Sequence, residues 1–228
     1  MTTTKPEMIS IGTQYALLHQ QYERECRGYI NAVAPLTDED FWLLIGKLQD
    51  DVKYRMNADH GCDEFVRSLC FDRSRRNIPK KFRPVDEDGQ YVRGDELNGW
   101  ELAAAFATKY DQILHKIHRA LRDVNMHRGD DGFGDFCDSF PLAGQVAFDT
   151  LISSHRPTCD EIEGLVPEAW KKFICHGENY IVTTLVNNLI RRFCYIVSQS
   201  ERQARSDKED EEREERLRNA REAKKAKS

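Results

Sequence analysis

The chain has 228 residues, of which 39% are hydrophobic and 32% are charged, and its formal net charge at pH 7 is −5. Its 13 glycines and 7 prolines are few for this length, which favours long helices over a sheet-rich fold. The acidic balance excludes a protein that binds nucleic acid through its overall charge, so such a contact would need a local basic patch.

The cysteines and the N-terminal residues indicate a cytoplasmic protein. Seven cysteines are present, an odd number, and none of them forms a Cys-x-x-Cys pair, so we expect reduced and mostly buried thiols. Residues 1–10 lack the basic start and apolar stretch of a secretion signal. No apolar run approaches the ~18 residues that a membrane helix needs, so we expect no membrane contact.

Periodicity predicts three helices in the N-terminal part of the chain. Apolar residues recur at steps of three and four over 11–33, and Pro35 ends that helix. Thr37 and the acids behind it form an N-cap and an acidic first turn for a second helix, which ends near Gly61. A short third helix is predicted over 62–71.

Residues 73–99 have no helical period, and "DEDG" between short extended pieces predicts a small hairpin. The first part of this insertion is strongly basic, with an aromatic residue among six bases: Arg73, Arg75, Arg76, Lys80, Lys81, Phe82 and Arg83. This basic loop could bind an RNA or DNA backbone, with the aromatic ring stacked on a base, or an acidic surface of a protein partner. It could equally fold back on this chain's own acids in "DED" and "DEDG".

The clearest helical pattern covers 98–127. The segment "RGDDGFGD" after it predicts a loop, because three glycines in seven residues are costly in a helix. A further helix is predicted from about 141 to 154. Thr158 and Glu161 fit a capping box that opens a broken pair of helical turns, and a last helix follows residue 177.

The C-terminal segment 200–228 contains too few apolar side chains to join a core. Nineteen of its residues are charged, and Leu217 is its single large aliphatic residue. Acids cluster at 207–215 and bases at 216–227, an order that suits the dipole of a helix continuing the last one.

Together these patterns predict one architecture. The fold class is all-α, a multi-helix bundle of about seven helices that forms a single domain over 1–199. The basic hairpin near 73–99 is an excursion from this bundle. Residues 200–228 form a charged, exposed C-terminal extension that is either helical or disordered.

A short motif suggests one catalytic alternative. Arg122, Asp123 and His127 follow the order Arg, then a polar residue, then three residues, then His, which resembles the signature of HEPN-family nucleases. The resemblance implies a small, dimeric, all-helical RNase that needs no metal. It implies that Arg122 steadies a phosphate and that His127 transfers protons at an RNA 2′-hydroxyl. The alternative interpretation is a solvated helix end with no chemistry.

The helix that precedes this motif carries a polar stripe of His115, His118 and Arg119, with Asp111 and Arg122 on the same face. Histidine and carboxylate are ordinary zinc ligands, but Arg119 beside them would repel a cation. We therefore expect a solvated or partner-facing stripe and no metal.

Three hypotheses follow, and no phosphate loop, zinc quartet or nucleophile elbow decides among them. The favoured one is a non-enzymatic interaction or adaptor protein that binds a protein or ribonucleoprotein partner through the basic loop and the charged tail, without a cofactor. The second is the HEPN-like RNase that uses Arg122 and His127. The third is an assembly protein that forms homo-oligomers, such as a homodimer, through its C-terminal helix.

Overall fold

The fold is all-helical, as predicted. This computed structural model describes residues 11–55, 58–70, 79–82, 96–124, 129–176 and 180–225, and in that part of the chain it contains no strands. The α-helices of the described residues are α1 (Ile11–Ala32), α2 (Asp38–Arg55), α3 (Ala58–Cys70), α4 (Glu96–Leu121), α5 (Gly129–Ser139), α6 (Gln145–Ser153), α7 (Cys159–Leu165), α8 (Glu168–His176) and α9 (Ile181–Lys225). Two short 3₁₀ helices occupy Lys80–Phe82 and Phe140–Ala143.

Helix α4 lies at the centre of the bundle, in contact with α1, α2, α3, α5, α6 and α9. Its apolar stripe is buried from Trp100 to Leu121, and this burial stabilises its packing against the neighbouring helices. The Trp100 indole N–H donates to the backbone oxygen of Leu189 in α9 at 2.9 Å. The buried hydroxyl of Tyr110 donates to the backbone oxygen of Asp138 in α5 at 2.6 Å. These two bonds attach α9 and α5 to the central helix.

The prediction of a loop after α4 is wrong, because the glycine-rich segment forms α5. Each glycine costs a helix about 1 kcal/mol relative to alanine. Phe136 and Cys137 of this helix are completely buried, and Phe133 packs against the core. A buried phenylalanine contributes about 1.5–3 kcal/mol, so tertiary burial offsets the local cost.

Two predicted helix boundaries also differ from the structure. Helix α4 ends at Leu121, well before its predicted end at position 127, and the Val124 N–H donates to the Leu121 oxygen in the turn that follows. Helix α2 ends at Arg55, and Gly61 lies inside α3, where it contacts Val52 of α2. The glycine therefore permits a close helix crossing and does not terminate a helix.

The predicted hairpin over 73–99 lies largely outside the described residues. Its described portions are the 3₁₀ turn at Lys80–Phe82 and residues 96–99, which belong to the first turn of α4. In these portions the chain is helical, so the extended strands of a hairpin are not found there.

Two local predictions are confirmed. The Thr158 hydroxyl oxygen accepts the Glu161 N–H at 3.3 Å, and the Glu161 carboxylate accepts the Thr158 N–H at 2.8 Å, which completes the capping box. Helices α7 and α8 form the broken pair that follows it. None of the seven cysteines forms a disulfide, and five of them are buried, as expected.

The last helix runs without a break from the core into the charged C-terminal segment, so the extension is helical through Lys225. Acids precede bases along it, which is the order that the helix dipole favours. None of the helices in the described ranges combines the length and apolar character of a membrane span.

Candidate functional site

Helix α9 is divided into a buried inner half and an exposed outer half. Ile181, Leu185 and Leu189 are buried in the core, whereas the described side chains from 199 to 219 are all exposed. The Tyr22 hydroxyl of α1 donates to the Glu201 carboxylate at 2.8 Å. We define the arm as residues 202–225, which at 1.5 Å per residue extend for about 36 Å.

The arm separates its charges into two blocks of opposite sign. The acidic block, residues 207–215, has seven acids and two bases, a net charge of −5. The basic block, residues 216–225, has five bases and one acid, a net charge of +4. Two charged patches of this size attract oppositely charged surfaces and accelerate encounter with them.

Local interactions explain why the arm is helical without a core. Gln203 donates to Asp207 at 2.7 Å, and Arg216 lies 3.8 Å from Glu212, both one helical turn apart. Such pairs each contribute about 0.2–0.5 kcal/mol, and Glu, Arg, Lys and Ala all have high helix propensity. The hydrogen bonds and ion pairs of the described arm side chains all lie within α9, so these side chains are open to a partner.

A buried carboxylate anchors the inner end of α9. Asp138 of α5 accepts the Val182 N–H at 3.2 Å, at the start of α9, where helix N–H groups lack partners within the helix. Burial raises the pKa of the Asp138 carboxyl to about 7, while the N–H donors of Val182 and Ile181 oppose that rise. The anchor joins the arm-bearing helix to the core. Sequence reasoning missed it, because no local pattern links two positions so far apart in the chain.

The basic loop is only partly described, and the residues that are described make contacts within the chain. The Lys81 ammonium pairs with Asp40, an acid of the "DED" segment, and this hydrogen bond raises the pKa of Lys81. Phe82 is half-buried against the core, so its ring is not presented as a platform for a base. Lys80 lies in the same 3₁₀ turn, and Arg73, Arg75, Arg76 and Arg83 lie outside the described residues. For Lys81 the structure therefore supports the alternative in which the loop folds back on the chain's own acids.

The nuclease-like motif is only partly described, so its alternative stays a prediction. Arg122 and Asp123 are exposed in the turn that ends α4, and His127 lies outside the described residues. Asp123 does line a cleft of about 510 Å³ between the end of α4 and the loop before α7, together with Arg156 and Cys159. Arg156 has a backbone φ of 53°, a left-handed conformation that is uncommon for a non-glycine residue.

The polar stripe of α4 divides into two environments. Asp111 and His115 are exposed and lie 3.5 Å apart, and Arg119 is also exposed. His118 is half-buried with its ring edge-on to Phe133 of α5, and burial lowers its pKa. The described residues contain no group of three or more His, Cys, Asp or Glu side chains placed to hold a metal ion.

The described residues define the class of the protein as an all-α bundle with a projecting, charged helix. No protein-family model, no curated protein and no solved structure matches the chain.

Proposed function

We propose that the protein is a non-enzymatic interaction protein whose arm binds a protein or ribonucleoprotein partner. The observation that carries the proposal is the continuation of α9 beyond the core as an exposed helix with two blocks of opposite charge. We place its action in the cytoplasm, where seven cysteines that form no disulfide remain reduced.

The arm is better placed than the basic loop to bind a partner. Lys81 and Phe82 of the loop already have partners within the chain, whereas the arm keeps its described side chains exposed. The arm is also helical before it binds, so less conformational entropy is lost on binding than for a disordered segment. With Leu217 as its single large aliphatic residue, the arm would recognise a partner by charge, and binding would weaken as salt increases.

A capture experiment tests the role of the arm. The full chain, a chain ending at Glu201, and a loop variant with Arg73, Arg75, Arg76 and Lys80 replaced by glutamine are tagged and compared at low and high salt. We expect truncation to weaken capture by at least about tenfold, because two or three charge contacts of up to about 1 kcal/mol each would be lost. The chain ending at Glu201 keeps the Tyr22–Glu201 hydrogen bond, so its core should fold normally.

The loop variant is the matched control, because it removes four charges from another region and leaves the Lys81–Asp40 pair intact. It should capture the same partners as the full chain. Equal capture by the chain ending at Glu201 would contradict the proposal.

A second candidate function, the HEPN-like RNase, is favoured by one observation. The cleft beside α4 is lined by Asp123 of the motif and also by Arg156, a second guanidinium that could contact a phosphate. In this alternative Arg122 and Arg156 bind the RNA backbone, and His127 transfers the protons.

An RNA-cleavage assay in the presence of a chelator separates the two functions. The favoured proposal predicts no cleavage of single-stranded or structured RNA by the purified chain. Cleavage by the natural chain that falls by about 100-fold or more in His127→Ala would instead support the RNase. A loss of this size is the low end of what a general acid–base residue contributes. His155→Ala is the matched control, since His155 is exposed next to Arg156 and is absent from the lining of the cleft.

A further inference from the structure

We infer that one partner of the arm is the arm of a second copy of this chain, and that the two arms pair antiparallel. The acidic block of each copy then lies along the basic block of the other. The inference rests on the proposed function, because it takes the arm as the binding element, and it adds the identity and orientation of a partner.

The charges of the two blocks carry the inference. The acidic block has a net charge of −5 and the basic block +4, and they adjoin at residues 215 and 216. Antiparallel pairing brings opposite blocks together at both ends of the overlap, whereas parallel pairing brings like blocks together, which costs free energy. Antiparallel helix dipoles also attract each other.

The geometry of α9 leaves room for this pairing. The symmetry axis would pass near Arg216, which lies about 22 Å beyond Glu201 along the helix in each copy. The two Glu201 residues would then be about 45 Å apart along the paired helices. A domain of this size has a radius of gyration of about 16 Å, so the two cores lie at opposite ends without collision.

The composition of the arm fits a charge-driven pair. Leu217, its single large aliphatic residue, falls one position from the axis in both copies, where two such residues come closest. Elsewhere the arm has no continuous apolar seam of the kind that holds a coiled coil together at high salt. The association should therefore depend steeply on ionic strength.

Sedimentation of the purified chain tests the pairing. At an ionic strength of about 0.01 M, where charges act over about 30 Å, we expect the mass to rise with concentration from 26.5 kDa toward twice that value. At about 1 M, where they act over about 3 Å, we expect a monomer. The chain ending at Glu201 should be monomeric in both conditions.

Two charge-reversed chains test whether the blocks recognise each other. One replaces Glu209, Glu211, Glu212 and Glu215 with lysine, and the other replaces Arg216, Arg218, Arg221 and Lys224 with glutamate. In each variant both blocks of the arm then have a net charge of the same sign, positive in the first and negative in the second. We expect each variant alone to be monomeric and an equal mixture to form a heterodimer.

Single cysteines test the orientation, in a chain whose half-exposed Cys159 and Cys194 are replaced by serine. Leu217→Cys should form a disulfide between copies under mild oxidation. Ser206→Cys should not, because antiparallel pairing separates the two positions by about 30 Å, whereas a disulfide needs Cα atoms within about 7 Å. Parallel pairing would cross-link both variants.

A monomer under all conditions, a dimer that persists without the arm, or a cross-link at position 206 would each overturn the inference. These outcomes are distinct from failure of the proposed function. That failure would be equal capture of other proteins by the full chain and by the chain ending at Glu201. A monomeric chain that still captures partners through its arm would retain the proposed function and lose only the self-pairing.

Discussion

Replacing Gly61 with alanine should lower the free energy of unfolding by about 2 kcal/mol, within the range that overpacking of a core costs. A Cβ atom at this position in α3 would lie 2.7 Å from the Cα and 2.9 Å from the backbone nitrogen of Val52 in α2. Backbone atoms cannot rotate away as a flexible side chain can, so the two helices would have to separate. Overpacking of this kind costs about 1–3 kcal/mol or more, against a gain of up to about 1 kcal/mol in helix propensity.

Urea unfolding followed by circular dichroism measures this change. Gly46→Ala is the matched control, because an added Cβ in the middle of α2 would meet no atom within 4 Å. It should leave stability unchanged or raise it by up to about 1 kcal/mol. Equal stabilities of the two variants would refute the close crossing of α2 and α3.

Asp138→Asn should change how stability depends on pH. Burial raises the pKa of Asp138 to about 7 from an ordinary value of 3.8, and the nearby Asp135 and Asp111 carboxylates raise it further. The folded state therefore holds a proton that the unfolded chain releases. The resulting stability is fully present below pH 3.8 and is lost as pH rises through about 7, by up to about 4 kcal/mol.

The asparagine variant keeps an oxygen that accepts the Val182 N–H but does not ionise. Relative to this variant, the natural chain should lose stability between about pH 4 and pH 8, as measured by urea unfolding at a series of pH values. Asp149→Asn makes the same chemical change at an exposed position on α6. The stability of this variant should depend on pH in the same way as the stability of the natural chain. If the stability of Asp138→Asn depended on pH in the same way as that of the natural chain, the Asp138 carboxyl would not titrate as described.

Features set by residues near each other in the chain could be predicted from the sequence. The apolar period of α4 and the Thr158–Glu161 capping box depend on spacings of three and four residues, and both are present. The helical alternative for the C-terminal extension followed from the order of its charges and is correct through Lys225. Such patterns identify helices well because their stabilising contacts recur within one or two turns.

Features that depend on distant residues could not be predicted in the same way. The glycines of α5 oppose a helix locally, and the burial of Phe136 that offsets them depends on surrounding helices. Asp138 anchors α9 only because the folded chain brings the Val182 N–H at the start of α9 within hydrogen-bond distance of its carboxylate. Lys81 belonged to a conspicuous basic cluster, but its pairing with Asp40 joins two distant segments of the chain and appeared only as one of three alternatives.

The unbroken course of α9 makes the projecting helix a lever. A load applied near Lys225 acts through a hydrogen-bonded rod on the segment held by Trp100 and Asp138, since Leu189 and Val182 belong to the same helix. Because the outer segment is about 36 Å long, a sideways force at its tip applies a torque to those two attachments. Mechanical force on the tip would therefore reach the Tyr22–Glu201 hydrogen bond with α1 first, and then the attachments to α4 and α5 in the interior of the bundle.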